Sequence, residues 1–444
     1  MVTFGRNNAA VTSNRVFVAA LLVALVAATA TAGSGLIQTH SRPILGSYLV
    51  ELAPGDGINA QAIAEELARK HHVNIKTVWQ DALQGFVIEA PEQAAIEISR
   101  DPRVSAVEQD ASAEMACLQK SAGCADNSLP WQLDRIDQLS PFLDGQFASC
   151  PEAGKGVTIY VIDSGIRATH HDFYDSDQKS RVAEGVSFVN DGHGTDDCYS
   201  HGTYVASMAG GKDSGVAKAA TLVPVRVGDC QGNATLTQVI NAVNWVVQHH
   251  ATPAVANISM VFSYSRSLDD AVTKLIGSGV VVTVAAGNNA SDACAFSPAS
   301  NPKVLTVGAS DRDDNVASFS NLGSCVQLFA PGVGVGGAHF AQDGYWNCSP
   351  GWNGTSVAAP LVAGVAASLL SQYPTMSPGD VKAMVLAGAT ANALHMPKGY
   401  GSSPNRLLHT LLNDCADASC DTQTSPVSPA NTTTPAPRRH SSGR

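Results

Sequence analysis

Positive charge, aromatic rings and long apolar runs are all scarce in this chain. Of 444 residues only 27 are Lys or Arg, against 38 Asp or Glu, leaving a formal charge of −11. No basic cluster longer than a pair such as Arg438-Arg439 breaks this acidic background. That excludes nucleic acid or an anionic membrane as the main partner. Aromatic residues are 6% of the total and supply no stacking platform for bases. The one early apolar run, residues 16–28, is too short for a comfortable bilayer span. Arg6 and Arg15 precede it and Thr29-Ala30-Thr31-Ala32-Gly33 follows, so residues 1–32 read as a secretory signal. Export makes the ten cysteines disulfide formers. With 44% hydrophobic and 15% charged residues, the rest is globular and long enough for more than one domain.

After a short linker at 33–46, residues 47–110 read as a small separate unit. Strand-like runs at 48–52, 73–79, 85–89 and 104–107 alternate with helical patterns at 60–70 and 91–99. Ile63 and Leu67 share one face of the first helix, and Pro91 opens the second. The order β-α-β-β-α-β predicts a ferredoxin-like plait. Residues 111–128, small and polar with Cys117 and Cys124, read as a processing linker. From 129 to 414 the pattern changes. Continuous apolar runs at 157–162, 222–227, 255–260, 280–284 and 304–307 alternate with helical stretches at 203–209, 236–249 and 267–278. This predicts an α/β domain with a parallel sheet covered by helices on both faces. Its ligands belong beyond the carboxyl ends of the strands. Residues 415–444, rich in Ser, Thr and Pro, read as a disordered tail.

Three short blocks carry chemistry. Asp163 follows the run 157–162 directly and is itself followed by Ser164-Gly165. It sits where ligands of such sheets collect, although a plain turn aspartate has the same look. His201-Gly202-Thr203 leaves a Gly- and Asp-rich loop and opens an alanine-rich helix. A neutral imidazole there takes a serine proton if a carboxylate fixes its other nitrogen. His193-Gly194-Thr195 repeats the tripeptide but leads into Asp196-Asp197-Cys198, which starts no helix. Ser356 lies in Asn353-Gly354-Thr355-Ser356, at the start of an apolar helix with Pro360 in its first turn. The free amides and positive end of that helix suit a nucleophile whose attack creates an oxyanion. A plain N-cap serine has the same look. No G-x-S-x-G elbow surrounds Ser356, which speaks against a lipase or esterase.

Taken in order, Asp163-Ser164-Gly165, His201-Gly202-Thr203 and Gly354-Thr355-Ser356 resemble the active-site blocks of subtilisin-like serine proteases. Val284-Ala285-Ala286-Gly287-Asn288 resembles the family's oxyanion segment, with Asn288 as the donor. Pro130-Trp131, Phe296-Ser297-Pro298-Ala299, Phe319-Ser320-Asn321 and Ser403-Pro404-Asn405-Arg406 are similar to the proteinase K branch, aqualysin-like secreted members above all. The resemblance covers about residues 47–412.

It implies a subtilisin-like α/β domain at 129–414, preceded by an inhibitory propeptide at 47–110. The enzyme it implies is a secreted, extracellular serine endopeptidase, made as a self-processing zymogen and acting as a monomer. Its partners would be protein or peptide substrates and its own propeptide, with no nucleic acid and no membrane after signal removal. Catalysis would need no cofactor. The family's disulfides correspond to Cys198 with Cys230 and Cys294 with Cys325. Cys415 and Cys420 are close enough to pair locally, and Cys117, Cys124, Cys150 and Cys348 stay open. A structural calcium would draw oxygens from Asp134, Asp137, Gln138 and Asp144. A second family calcium site uses backbone at Pro302 and Val304 plus an aspartate, and Gln327 stands in place of that aspartate. The substrate strands correspond to Gly232-Asn233-Ala234 and to Ser259-Met260-Val261-Phe262, where the family has Ser-Leu-Gly-Gly. Val261 then narrows the primary pocket if its side chain points inward. A non-catalytic binder on the same scaffold would lack one of these four catalytic residues, and all are present.

Overall fold

The computed structural model describes residues 35–55, 57–115, 118–119, 130–148, 152–339, 346–399 and 402–410. The expected signal, most of the expected processing linker and the tail lie outside the described residues. So do Cys117, Cys124, Cys150, Cys415, Cys420 and the side chain of Cys348.

The amino-terminal unit comprises β1 (Pro43–Leu52), α1 (Ala60–His71), β2 (Asn74–Trp79), β3 (Gly85–Glu89), α2 (Glu92–Ile98) and β4 (Val104–Glu114). Asn59 caps α1 by accepting from the Ala62 N–H, and His72 ends it in a left-handed conformation. Its buried Ala60, Ala64 and Leu67 pack with Val50, Phe86 and Ile88 of the sheet. The sheet order is β2-β3-β1-β4, all antiparallel. Two boundaries differ from the sequence expectation. Residues before β1 are not a free linker, since the Gln38 backbone bonds Val107 and Gln109. Moreover, β4 runs to Glu114, past residue 107, because Ser112, Ala113 and Glu114 pair antiparallel with residues 233–235 of the larger domain.

Next comes the short strand β5 (Leu118–Gln119). The larger domain continues through α3 (Trp131–Ile136), β6 (Thr158–Asp163), β7 (Val186–Ser187), α4 (His201–Gly210), β8 (Thr221–Arg226), β9 (Asn233–Thr235) and α5 (Leu236–His249). Then follow β10 (Ala254–Ile258), β11 (Phe262–Ser263), α6 (Arg266–Gly277), β12 (Val280–Ala285), β13 (Phe296–Ser297), β14 (Leu305–Ser310) and β15 (Leu328–Pro331). The last elements are β16 (Val335–Ala338), β17 (Trp346–Asn353), α7 (Thr355–Gln372), α8 (Pro378–Gly388), β18 (Thr390–Ala391) and β19 (Arg406–Leu407). The main sheet has the order β18-β19-β15-β14-β12-β10-β6-β8-β7. Every pair in it is parallel except β18-β19.

Side chains alternate across this sheet with period two. Tyr160 and Ile162 of β6 belong to a core shared with Val239 and Val243 of α5 and Leu268 and Val272 of α6. Ile159 and Val161 belong to the opposite core, with Val205 and Met208 of α4 and Val357 and Leu361 of α7. Helices on both faces explain why the strands read as unbroken apolar runs. By length and composition α7 is apolar enough to cross a bilayer, but it is buried as the central core helix.

One local expectation is corrected in α7. The helix starts at Thr355, so Pro360 falls in its second turn, not its first. A proline there removes the N–H that would bond the carbonyl four residues back, that of Ser356. The Ser259 hydroxyl donates to that carbonyl instead, at 2.7 Å. The short elements α3, β7, β11, β13 and β15 to β19 have little periodicity to read, and β16 is Val-Gly-Gly-Ala.

Candidate active site

The carboxyl ends of β6, β10 and β12 open onto one edge of the sheet, and the chemistry-bearing blocks collect there. Asp163 is the last residue of β6 and His201 the first of α4. His201 Nδ1 lies 2.7 Å from Asp163 Oδ1, with both side chains fully buried. Asp163 Oδ1 also accepts from the Ser164 N–H at 2.8 Å. Ser356 occupies the second position of α7, which packs against α4. Trp352, four residues earlier, stacks on Tyr204 of α4, with its ring centroid 5.8 Å from that of His201. His193 is exposed, outside this arrangement, beside Cys198 and Cys230.

A residue that sequence reasoning missed sets this loop. Asp197 is buried, and its Oδ1 accepts from the Tyr199 and Ser200 N–H groups and the Ser164 hydroxyl. Its Oδ2 accepts from the Thr203 N–H and hydroxyl. Asp197 thus caps α4 in place of Ser200, which has a left-handed backbone at φ 94° and makes no side-chain cap bond. Burial pushes the Asp197 carboxyl above its ordinary value, and these hydrogen bonds oppose the rise. Its only sequence signal is a carboxylate four residues before His201.

Asn288 follows β12. Its Oδ1 accepts from the Thr355 N–H and hydroxyl, each at 2.9 Å, which fixes its amide beside the start of α7. A Cβ placed on Gly354 would stand 2.7 Å from Ser356 Oγ and 3.4 Å from Asn288 Nδ2, so the glycine keeps the gap between them clear. The Ser356 hydroxyl is buried with no hydrogen-bond partner. Ser259, Met260 and Val261 line a pocket beside Ser356 whose other wall includes Gly287 and Asn288. Gly287 has φ 103°, and a Cβ there would meet Asn321 Nδ2 at 2.3 Å and Val261 Cγ2 at 3.2 Å. A Val261 methyl therefore lies close to Gly287, and both residues line the pocket.

Along Gly232, Asn233 and Ala234, expected from the sequence as the second substrate strand, lies the chain's own β4. Ala113 pairs with Ala234 and Glu114 with Asn233, and the Met115 N–H donates to the Gly232 carbonyl at 2.8 Å. Two β4 carboxylates reach helix N-termini of the larger domain. Glu108 accepts from the Ser265 hydroxyl at 2.7 Å and the Ser267 N–H at 2.9 Å, at the start of α6. Asp110 accepts from the Thr237 hydroxyl at 2.6 Å, at the start of α5. Anions are favoured at such positive helix ends. Burial raises the Glu108 carboxyl, but His40 beside it and the bonds from Ser265 and Ser267 outweigh this and hold it below its ordinary value.

The expected metal residues lie in α3, which carries Asp134, and in the loop that follows it. Asp134 accepts from the Asp144 and Gly145 N–H groups, and Gln138 donates its amide to the Phe142 carbonyl. Asp137 Oδ2 accepts from the Ala148 N–H, while its Oδ1 is buried with no partner. Burial pushes the Asp137 carboxyl up, and the charges of Asp134 and Asp144 add to this. An orphaned carboxylate oxygen among like charges fits a hard cation. The second family calcium position is filled differently. Lys382 Nζ donates to the Pro302 and Val304 carbonyls at 2.6 and 2.8 Å, while burial draws the amine down to about 8. Among the described residues, the one group of three His, Cys or carboxylate ligands within 4.8 Å is His193, Cys198 and Cys230. Its cysteines are bonded to each other, as are Cys294 and Cys325.

Comparisons with known proteins identify a family and several relatives. The family model described as Subtilase family matches residues 154–402. The extracellular serine proteinase of Thermus sp. is 39% identical over 372 residues, covering 83% of this chain and 86% of the relative. The alkaline serine exoprotease A of Vibrio alginolyticus is 36% identical over 360 residues, covering 81% of this chain and 64% of the relative. A crystal structure of a cold adapted subtilisin-like serine proteinase superposes with a TM-score of 0.58 at 39% identity. It covers 64% of this chain and 99% of its own.

Proposed function

This chain belongs to the subtilase family of serine proteases, and from that premise we propose a secreted endopeptidase, made as a self-processing precursor, that uses Ser356 as its nucleophile. The observation that carries the reading is the buried His201–Asp163 pair, 2.7 Å apart at the end of strand β6. Substrate lies extended along β9 as an added strand. His201 takes the Ser356 proton as Oγ attacks the substrate carbonyl, and Asp163 holds the ring and stabilises its charged form. The Asn288 amide and the Ser356 N–H receive the oxyanion. His201 then protonates the leaving amine, and water attacks the acyl-enzyme to free the acid and restore Ser356.

The amino-terminal unit acts as an intramolecular inhibitor. Its β4 already occupies β9, and Glu108 and Asp110 anchor it on α6 and α5. The chain leaves β9 at Met115 and next pairs, through Leu118 and Gln119, with Asn353 and Trp352 just before Ser356. Since the Met115 side chain lies outside the pocket beside Ser356, the bond cut in self-processing lies between residues 116 and 118, inside the wider linker expected from sequence. A calcium ion held at Asp137, with Asp134, Gln138 and Asp144 around it, would pin the loop after α3 and take no part in the chemistry.

The test is the precursor carrying Ser356→Ala, expressed without other proteases. It should keep its amino-terminal unit and lose labelling by a fluorophosphonate probe. His201→Ala should abolish turnover while His193→Ala leaves most of it. A mature-sized product from Ser356→Ala would show that another enzyme does the cutting.

A further inference from the structure

Met115 ends the segment that enters the cleft, yet its side chain is only 1% exposed. Its N–H donates to the Gly232 carbonyl, and its own carbonyl accepts from the Tyr199 hydroxyl at 3.0 Å. Its side chain is not among the residues around the pocket beside Ser356. It enters the larger domain instead, in the same buried apolar cluster as Val227 and Leu236.

The room for it exists because residue 228 is glycine. A Cβ there would stand 2.3 Å from Met115 Cε and 3.0 Å from Sδ. Gly228 is not one of the positive-φ glycines, so the backbone does not demand glycine at this place. What the glycine provides is space. Ser164 Cα, next to Asp163, lies 3.2 Å from the same Cβ position and closes the far side.

We infer that Gly228 opens a second specificity subsite, which takes a long unbranched apolar side chain on the substrate residue that bonds Gly232. The inference rests on the protease reading above and adds a substrate class to it: polypeptides with Met, or the similar-sized Leu, at that position. The backbone bonds made by Met115 are open to any extended peptide. A thioether chain with three rotatable bonds follows a narrow channel. A β-branched side chain is stiff at χ1, and a charged one would lose its water without a partner.

The experiment uses the processed enzyme and a proteome-derived peptide library, with cleaved ends aligned. Met and Leu should be enriched at one position on the amino side of the cut, other than the residue directly before it. A matched pair of fluorogenic peptides with Met or Ala at that position should differ in kcat/KM by about 10–200-fold. Gly228→Leu should erase the preference for Met over Ala. Gly228→Ala is the milder companion, and the substrate pair alone needs no variant. Cleavage of both peptides by the wild type at equal rates overturns the subsite and leaves the protease reading standing. No cleavage and no fluorophosphonate labelling removes that reading, and this inference with it.

Discussion

Ser259 Oγ donates to the carbonyl oxygen of Ser356 across 2.7 Å, supplying the hydrogen bond that Pro360 denies it. The same hydroxyl accepts from Asn257 Nδ2 at 2.8 Å, and Asn257 Oδ1 accepts from the Thr283 hydroxyl at 3.0 Å. A line of hydrogen bonds thus runs from β12 through β10 to the first turn of the helix that presents Ser356. The proline loosens that turn and the sheet takes hold of it.

Ser259→Ala leaves a buried carbonyl without a partner and should cost about 1–3 kcal/mol of stability. In a Pro360→Ala background the restored N–H bonds Ser356 within the helix, so the cost should shrink. Thermal melts of the two single variants and the double variant give the coupling. Equal costs in both backgrounds would remove this link.

Val261 facing Gly287 shortens the pocket beside Ser356, so Ala should be preferred over Phe or Tyr as the residue before the cut. Val261→Gly should raise the Phe-to-Ala ratio of kcat/KM by about 10–200-fold. A substrate library varied at that residue reads the ratio directly. An unchanged ratio means the wall is elsewhere.

The loop carrying Asp137 should bind calcium only when folded, so calcium should raise the thermal midpoint and chelation lower it. Asp137→Ala should blunt the response. Identical melting of the wild type with and without chelator would take the ion out of the picture.

Docking of the amino-terminal unit should depend on pH through Glu51. Its carboxyl faces Arg266 of α6 at 3.5 Å. Burial pushes it from 4.5 up to about 7. Arg266 and a bond from Ser105 oppose the rise, and Asp270 and Glu108 reinforce it. Between these values the docked form holds a proton that a released unit gives up. Stability from this group is therefore fully present below about 4.5, falls as pH rises to about 7, and changes no further above. The upper limit is about 1.4 kcal/mol per pH unit. Melts of the Ser356→Ala precursor from pH 4.5 to 8 should show the fall, and Glu51→Gln should flatten it. Parallel curves for the two would sink the assignment.

The sequence by itself was enough to name the layered α/β domain, the β-α-β-β-α-β unit before it and the candidate residues Asp163, His201, Asn288 and Ser356. Each of these stands at the end of a strand run or the start of a helix, and such signals lie within a few residues of the side chain concerned. What the tertiary structure decided depends on partners far away along the chain. Strand β4 continues to Glu114 only because residues 233–235 wait for it, and nothing in residues 108–114 announces that pairing. The closeness of the Val261 side chain to Gly287 comes from the fold, since alternation along a strand fixes two faces without saying what each one meets. The subsite at Gly228 is a space, and the residues that enclose it come from three separate stretches of chain. Local order follows from neighbours in sequence; a cavity, a cap from another domain and the lysine on two carbonyls follow only from which surfaces the completed fold brings together.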